Sequence, residues 1–223
     1  MRVNEKIINR LSYILKIIIK KPHLILSLLY KKHLGVIFLI PVNKRTLDLR
    51  TNSIINVNLS SNVDDIYRFY KNMKRDSITK ERIDNWLSKN YECFLIYEEN
   101  KVVGGMWIFK NQFELKNLSG RTLSTEKSIS LNENTLYGAY VIIDEAYRGK
   151  GLNQILLNNV IEYYSRKDEY SNLLVITGAS NGAYINSAIK CNAKLIGITE
   201  VTNVLGLISR KVLYLDQKLK VWE

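Results

Sequence analysis

The chain has 223 residues, 46% apolar and 24% charged, with only 2 prolines and 11 glycines. That composition predicts one globular domain with an appendage, or two small domains, and excludes a disordered or low-complexity chain. Cys93 and Cys191 make no disulfide framework and neither lies near a His, which points to reduced thiols and no metal site.

The net charge of +12 is uneven: residues 1–50 carry 11 Lys/Arg against Glu5 and Asp48, whereas residues 51–223 carry 22 against 19. Such asymmetry points to an anionic partner, either a membrane surface or nucleic acid. Ile7, Ile8, Leu11, Ile14, Leu15 and Ile18 recur at helical spacing among Lys6, Arg10, Lys16, Lys20 and Lys21. Pro22 opens a second helix, Leu24, Ile25, Leu28 and Leu29 continue its stripe, and Gly35 reads as its stop. Val36 to Ile40 then form a short strand-like run ended by Pro41. Residues 1–50 are thus expected as a basic amphipathic helical extension, and residues 51–223 as the main domain. No charge-free apolar run approaches the ~20 residues that a spanning helix needs. A signal peptide fits poorly, because Lys16 interrupts the first apolar stretch and no small-residue cleavage site follows. Two readings stand for the extension: a helix on an anionic membrane surface, or a helix packed on the body or on a second subunit. His23 and His33, the only histidines, have no acidic neighbour and read as ordinary residues.

In the body, Ile54 to Leu59 reads as a strand, and Ser60, Ser61 and Asn62 offer caps for a helix carrying Val63, Ile66, Tyr67, Tyr70 and Met73. Thr79 to Ser88 forms a second helix, with Ile83 and Trp86 inward. Cys93 to Tyr97 and Val102 to Phe109 form a hairpin around Glu98-Glu99-Asn100-Lys101. Residues 111–130 are polar and read as a loop. Thr135 to Ile143 is a strand, and Gly151 to Tyr164 a helix with Leu152, Ile155, Leu156, Val160 and Tyr164 inward. Leu173 to Thr177 is a buried strand, Asn181 to Cys191 a helix, and Lys194 to Val201 with Leu205 to Leu215 a final strand pair. This order predicts an α/β fold, a mixed sheet with helices on its faces.

The junction from Tyr137 to Asn153 carries the chemistry. An apolar β-branched run ends in a turn at Asp144 and Glu145, and Arg148, Gly149, Lys150, Gly151, Leu152 and Asn153 lead into a helix. Strand, glycine loop and helix N-terminus in that order make an anion-binding device. Glycines let backbone N–H groups approach a phosphate, and the helix dipole adds positive potential. A phosphate-bearing cofactor is expected at residues 148–153.

That element order, with Arg148-Gly149-Lys150-Gly151-Leu152-Asn153 at the fourth strand-to-helix junction, resembles the GNAT superfamily of acyl-CoA-dependent N-acetyltransferases over residues 54–215. The family's pyrophosphate motif is Arg/Gln-x-x-Gly-x-Gly/Ala; Arg148 and Gly151 match it, and Asn153 departs from the usual Gly or Ala. Asn181, at the start of the helix after the fifth strand, matches the family's Asn near the pantetheine arm. The resemblance implies a mostly antiparallel mixed sheet, acetyl-CoA as cosubstrate, and cofactor-facing backbone from Val141, Ile142 and Ile143, which also read as plain core strand. The family's Tyr that protonates the leaving thiolate falls by spacing at Ala188, and Tyr184, one turn earlier, is the substitute. Family members draw a general base from the fourth strand. Strand alternation puts Glu133, Thr135, Tyr137 and Ala139 on one face. Glu133 is therefore the candidate base and Tyr137 a candidate for positioning the amine or a water.

The implied activity is transfer of an acetyl group from acetyl-CoA to a primary amine by direct attack in a ternary complex. An amino sugar or another small molecule is the leading acceptor. Acetylation of a protein or of an aminoacylated RNA is the alternative, and a degenerate, non-catalytic acyl-CoA-binding protein the third. No aromatic-basic motif supports nucleic acid. The expected location is cytoplasmic, at the inner face of the membrane if the N-terminal helices lie on lipid. A homodimer follows if they pack on a second subunit.

Overall fold

The computed structural model describes residues 30–42, 55–110, 112–114, 128–204 and 207–215, so the helical stripe expected over residues 1–29 lies outside the described residues. The elements are β1 (Tyr30–Pro41), β2 (Ile55–Ser60), α1 (Val63–Asn72), α2 (Lys80–Ser88), β3 (Glu92–Glu98), β4 (Lys101–Phe109), β5 (Gln112–Glu114), β6 (Ser128–Ser130), β7 (Thr135–Ile143), α3 (Leu152–Ser165), β8 (Asn172–Gly178), α4 (Gly182–Lys190), β9 (Lys194–Val204) and β10 (Leu207–Tyr214).

Local chemistry starts the helices where the sequence predicts. Asn62 caps α1, its side chain accepting from the N–H groups of Asp64 and Asp65. Thr79 caps α2 by accepting from the Arg82 N–H, and Asn181 caps α4 by accepting from the Tyr184 N–H. Each helix then buries one face. Ile66, Phe69 and Tyr70 of α1 join Ile83 and Trp86 of α2 in one core cluster. Leu152, Leu156, Val160 and Tyr164 of α3 join Tyr184 and Ala188 of α4 in the other. The two clusters lie on opposite faces of the sheet, which gives three layers. Burying each such Leu or Ile stabilises by roughly 1.5–3 kcal/mol.

The sheet has eight strands in the order β10-β9-β1-β8-β7-β4-β3-β2. Only the β7–β8 pair is parallel among its described ladders. A carboxylate pins α3 to it: Glu92 on β3 accepts from the hydroxyls of Tyr163 (3.2 Å) and Tyr164, and pairs with Lys110 (3.2 Å) and Lys167 (3.3 Å). Among the described residues no helix is long and apolar enough to cross a membrane. Cys93 and Cys191 are both buried thiols outside any disulfide, and the Cys191 thiol donates to Asn158 Oδ1 at 3.1 Å.

Two expectations are corrected. The chain from Tyr30 to Leu34, read as the end of a helix stopped by Gly35, is the first half of β1. This strand pairs with β8 from Gly35 to Pro41 and with β9 from Tyr30 to Leu39. Gly35 marks a close approach instead: a Cβ there would come 2.7 Å from Thr199 Cγ2 and 3.2 Å from the Thr177 carbonyl oxygen. The sheet therefore reaches back to Tyr30, across the boundary drawn at residue 50. The segment 111–130, read as a loop, has a short antiparallel pairing at its ends, Gln112↔Ser130 to Glu114↔Ser128.

Candidate active-site cleft

The cleft begins where two strands part. β7 and β8 pair from Thr135↔Asn172 to Gly138↔Val175, and the ladder stops there. On its other edge β7 carries a bulge. Ala139 faces Trp107 and Ile142 faces Gly105, so Tyr140 and Val141 together stand opposite Met106. Tyr140 has φ +53°, a left-handed conformation that costs about 1–2 kcal/mol for a residue with a side chain. Its surroundings hold it there. The Tyr70 hydroxyl donates to the Tyr140 carbonyl at 2.9 Å, and Arg82 Nη2 donates to the Tyr140 hydroxyl at 3.0 Å. The Tyr140 ring packs 5.0 Å from that of Trp86. Beyond Gly138 the backbone of β7 is thus bent away from β8, and residues 138–143 line one wall of a cleft of about 670 Å³. Ile176, Thr177 and Gly178 of β8 line the facing wall.

One end of the cleft is built for an anion. The Asp144 carboxylate accepts from the Ala146 N–H at 3.1 Å and starts a single helical turn over Glu145–Tyr147. That backbone hydrogen bond holds its carboxyl below the usual range, against its partial burial, with help from Lys101 at 3.3 Å. Gly149 and Gly151 follow with φ +80° and +76°, and a Cβ at either would meet open space. Gly151 is the N-cap of α3, which carries no side-chain cap. The N–H of Gln154 already donates to the Gly151 carbonyl at 2.9 Å, and the N–H groups of Leu152 and Asn153 before it are the ones a helix start leaves without an acceptor in its own backbone. Arg148 stands beside them, paired with Glu145 at 3.1 Å and well exposed. Lys150 lies over the Tyr147 ring at 4.6 Å. An uncapped helix start behind two left-handed glycines fits a pyrophosphate. Asn153, where the family motif has Gly or Ala, is accommodated in the cleft wall, with its Oδ1 buried and without a hydrogen-bond partner.

α4 supplies the opposite lip. Asn181 Nδ2 donates to Thr177 Oγ1 at 3.0 Å while its Oδ1 caps the helix, so one side chain ties the end of β8 to the start of α4. Tyr184, one turn in, is 4% exposed and lines the cleft, and its hydroxyl has no hydrogen-bond partner. Burial, ahead of the nearby Cys191 and Tyr137, pushes its pKa well up, so the hydroxyl stays protonated at neutral pH. Ala188, where spacing puts the family's Tyr, is buried in the core beside it.

Among the residues expected from sequence, Val141, Ile142, Ile143, Arg148, Gly149, Gly151, Leu152, Asn153, Asn181 and Tyr184 line this one cleft. Glu133 does not. It is exposed in the turn before β7, which begins at Thr135. The strand alternation used to place it fails because residue 133 precedes the strand, and that end of β7 is closed by its ladder with β8. Tyr137 is buried in the core, its ring 6.2 Å from Phe109, and does not line the cleft. Sequence reasoning missed Tyr70, Arg75 and Tyr140 as cleft residues. Helical spacing marks Tyr70 as inward, but nothing local marks Arg75 or the bulge.

The model of the Acetyltransferase (GNAT) family matches residues 60–187. In structure the chain is similar to the GCN5-related N-acetyltransferase from Sphaerobacter thermophilus, with 14% identity and a TM-score of 0.55 over 86% of this chain and 55% of that one. It is similar to a GNAT-family acetyltransferase from Colwellia psychrerythraea, with 8% identity and a TM-score of 0.51 over 78% and 56%. The chain thus spans little more than half the length of these two. A third similar structure is yncA from Salmonella typhimurium with its cofactor acetyl-CoA, with 15% identity and a TM-score of 0.46 over 74% and 96%. No curated protein sequence matches. The matched model covers more than half of the chain and spans the parting strands, the glycine loop and most of α4, and the chain belongs to the GNAT acetyltransferase family.

Proposed function

We propose that this chain transfers an acetyl group from acetyl-CoA to the primary amine of a small molecule, an amino sugar or a comparable amine, by direct attack in a ternary complex. The observation that carries the proposal is the cleft itself: strands that part at Gly138, with the uncapped N-terminus of α3 at one end. Acetyl-CoA supplies an activated thioester. The chain's own groups hold and align it. Arg148 and the N–H groups from Gly149 to Asn153 take the pyrophosphate, and Lys150 adds positive potential. Backbone groups of Val141, Ile142 and Ile143, freed from β8, bond the pantetheine arm, with Leu152 and Asn181 flanking it. An N–H in the bulged segment polarises the thioester carbonyl, an oxyanion-hole role.

The new bond joins the acceptor nitrogen to the acetyl carbon, and the bond to sulfur breaks. Tyr184, whose hydroxyl at the cleft wall carries its proton and has no partner, donates that proton to the departing sulfur and regains one from solvent. None of the described residues lining the cleft is Asp, Glu or His. The amine therefore gives its proton to water, and alignment carries most of the rate. Calorimetric titration with acetyl-CoA tests this, with free coenzyme A and longer acyl-CoAs as comparisons, followed by a coenzyme A release assay over a panel of amines. Saturable binding with amine-dependent release is expected. A folded protein that binds no acyl-CoA refutes the proposal.

A further inference from the structure

We infer that the acceptor carries an anionic group, a carboxylate or a phosphate, close to its reacting amine, and that Arg75 recognises that group. The inference rests on the transferase reading of the cleft. With pyrophosphate at residues 148–153, the acceptor enters at the other end, beside Gly138 to Tyr140. Five residue steps of β7, at most roughly 17 Å at strand rise and less across the bulge, separate Gly138 from Ile143, before the turn that leads to the loop.

At that end Tyr70 and Arg75 complete the wall. The Arg75 backbone is fixed, its N–H donating to the Tyr70 carbonyl at 2.9 Å. Its side chain is solvent-accessible, and no carboxylate among the described residues pairs with it. Other arginines do have such partners: Arg68 with Asp65, Arg148 with Glu145, and Arg166 with Glu162. A second guanidinium lies behind the wall. Arg82 stacks 4.8 Å from the Trp86 ring centroid and donates to the Ser77 carbonyl and the Tyr140 hydroxyl, again with no carboxylate partner among the described residues. No Asp or Glu among the described residues lines any part of the cleft.

That end of the cleft thus holds two guanidiniums that no carboxylate among the described residues pairs with. Two effects follow. A planar guanidinium takes a carboxylate or phosphate through paired hydrogen bonds, and a polycationic amine is repelled. Positive charge nearby also disfavours the ammonium form of the acceptor, which supplies neutral amine at a site with no described side-chain base.

The test uses the full chain at saturating acetyl-CoA and reads coenzyme A release. Two matched pairs serve as probes: serine against serine amide, and glucosamine 6-phosphate against glucosamine. The anionic member of at least one pair is expected to show a kcat/KM roughly tenfold to a hundredfold higher, the range for a hydrogen bond to a charged group. Which pair responds tells a carboxylate from a phosphate. Arg75→Gln should erase the preference, Arg75→Lys should keep part of it, and acetyl-CoA affinity should stay within about twofold in both. Turnover of the neutral members alone, turnover of none, or a preference that survives Arg75→Gln overturns the inference, while the transferase reading stands on acetyl-CoA binding. Failure to bind acetyl-CoA removes that reading, and this inference with it.

Discussion

The Tyr70 hydroxyl donates to the backbone carbonyl of Tyr140 across 70 residues of sequence. This bond joins α1 to the bulge that turns β7 away from β8. Tyr70→Phe keeps the ring and leaves that carbonyl without its partner. Stability should fall by about 1 kcal/mol. If the bulged backbone polarises the thioester, kcat should drop roughly tenfold with little change in acetyl-CoA affinity. Denaturant unfolding and steady-state kinetics on one preparation separate the two effects.

Gly151 has φ +76° and open space where a Cβ would lie, so a substitution there acts through backbone strain and through what it puts in the phosphate's path. Gly151→Asn, a residue that tolerates the left-handed region, should cost under about 1 kcal/mol of stability and keep measurable acetyl-CoA binding. Gly151→Glu should lose binding by at least about a hundredfold, because it sets a negative charge against the pyrophosphate. Equal affinities for the two variants would mean that phosphate does not dock at this turn.

Tyr184 is buried with an unpartnered hydroxyl. Tyr184→Phe removes no hydrogen bond from the fold, so thermal stability should hold or rise slightly. If the hydroxyl protonates the leaving sulfur, kcat should fall by roughly ten- to a hundredfold. Alkali gives a second readout. Burial raises Tyr184, Tyr70 and Cys93 above their ordinary values of 10.0, 10.0 and 9.0. The folded chain then keeps protons that the unfolded chain releases. Their contribution is full below about pH 9 and lost as pH rises beyond it, so the melting temperature should decline above that point.

With no Asp, Glu or His among the described residues of the cleft wall, the acid limb of kcat/KM should follow the pKa of the acceptor amine. Acceptors of different basicity should shift that limb in parallel. Glu133→Gln, in an exposed turn, should leave the profile unchanged. A limb that stays put across acceptors, or one that moves with Glu133, would assign the base to the protein.

Glu92 holds Lys110, Lys167, Tyr163 and Tyr164 at the far end of the sheet. Glu92→Gln leaves two partly buried ammonium groups without their shared carboxylate. A loss of about 3 kcal/mol is expected, with acetyl-CoA affinity unchanged for the protein that remains folded. Chemical denaturation and calorimetry check the two halves of that statement.

Much of the fold was legible along the chain because its cues are local. Helical spacing and caps located α1, α2, α3 and α4 within a residue or two, since Asn62, Thr79 and Asn181 act on N–H groups two or three positions away. The strand, the glycine loop and the start of α3 are contiguous, so this end of the cleft could be read off residues 137–153. Pairing partners are not contiguous. β1 sits between β8 and β9, more than 130 residues away in sequence, and no local pattern around Gly35 tells a helix stop from a close strand approach.

By itself, then, the sequence determined the order of the helices and longer strands from β2 to β10, the glycine turn from Arg148 to Asn153, and the family those residues resemble, because each follows from chemistry within a few residues of chain. The tertiary structure decided that β1 enters the sheet and that Glu133 lies away from the cleft. It also decided that Tyr140 is bent into a left-handed bulge under Tyr70, and that Arg75 joins Tyr70 in the cleft wall. Each of these depends on long-range contacts, through which packing overrides what the local pattern prefers.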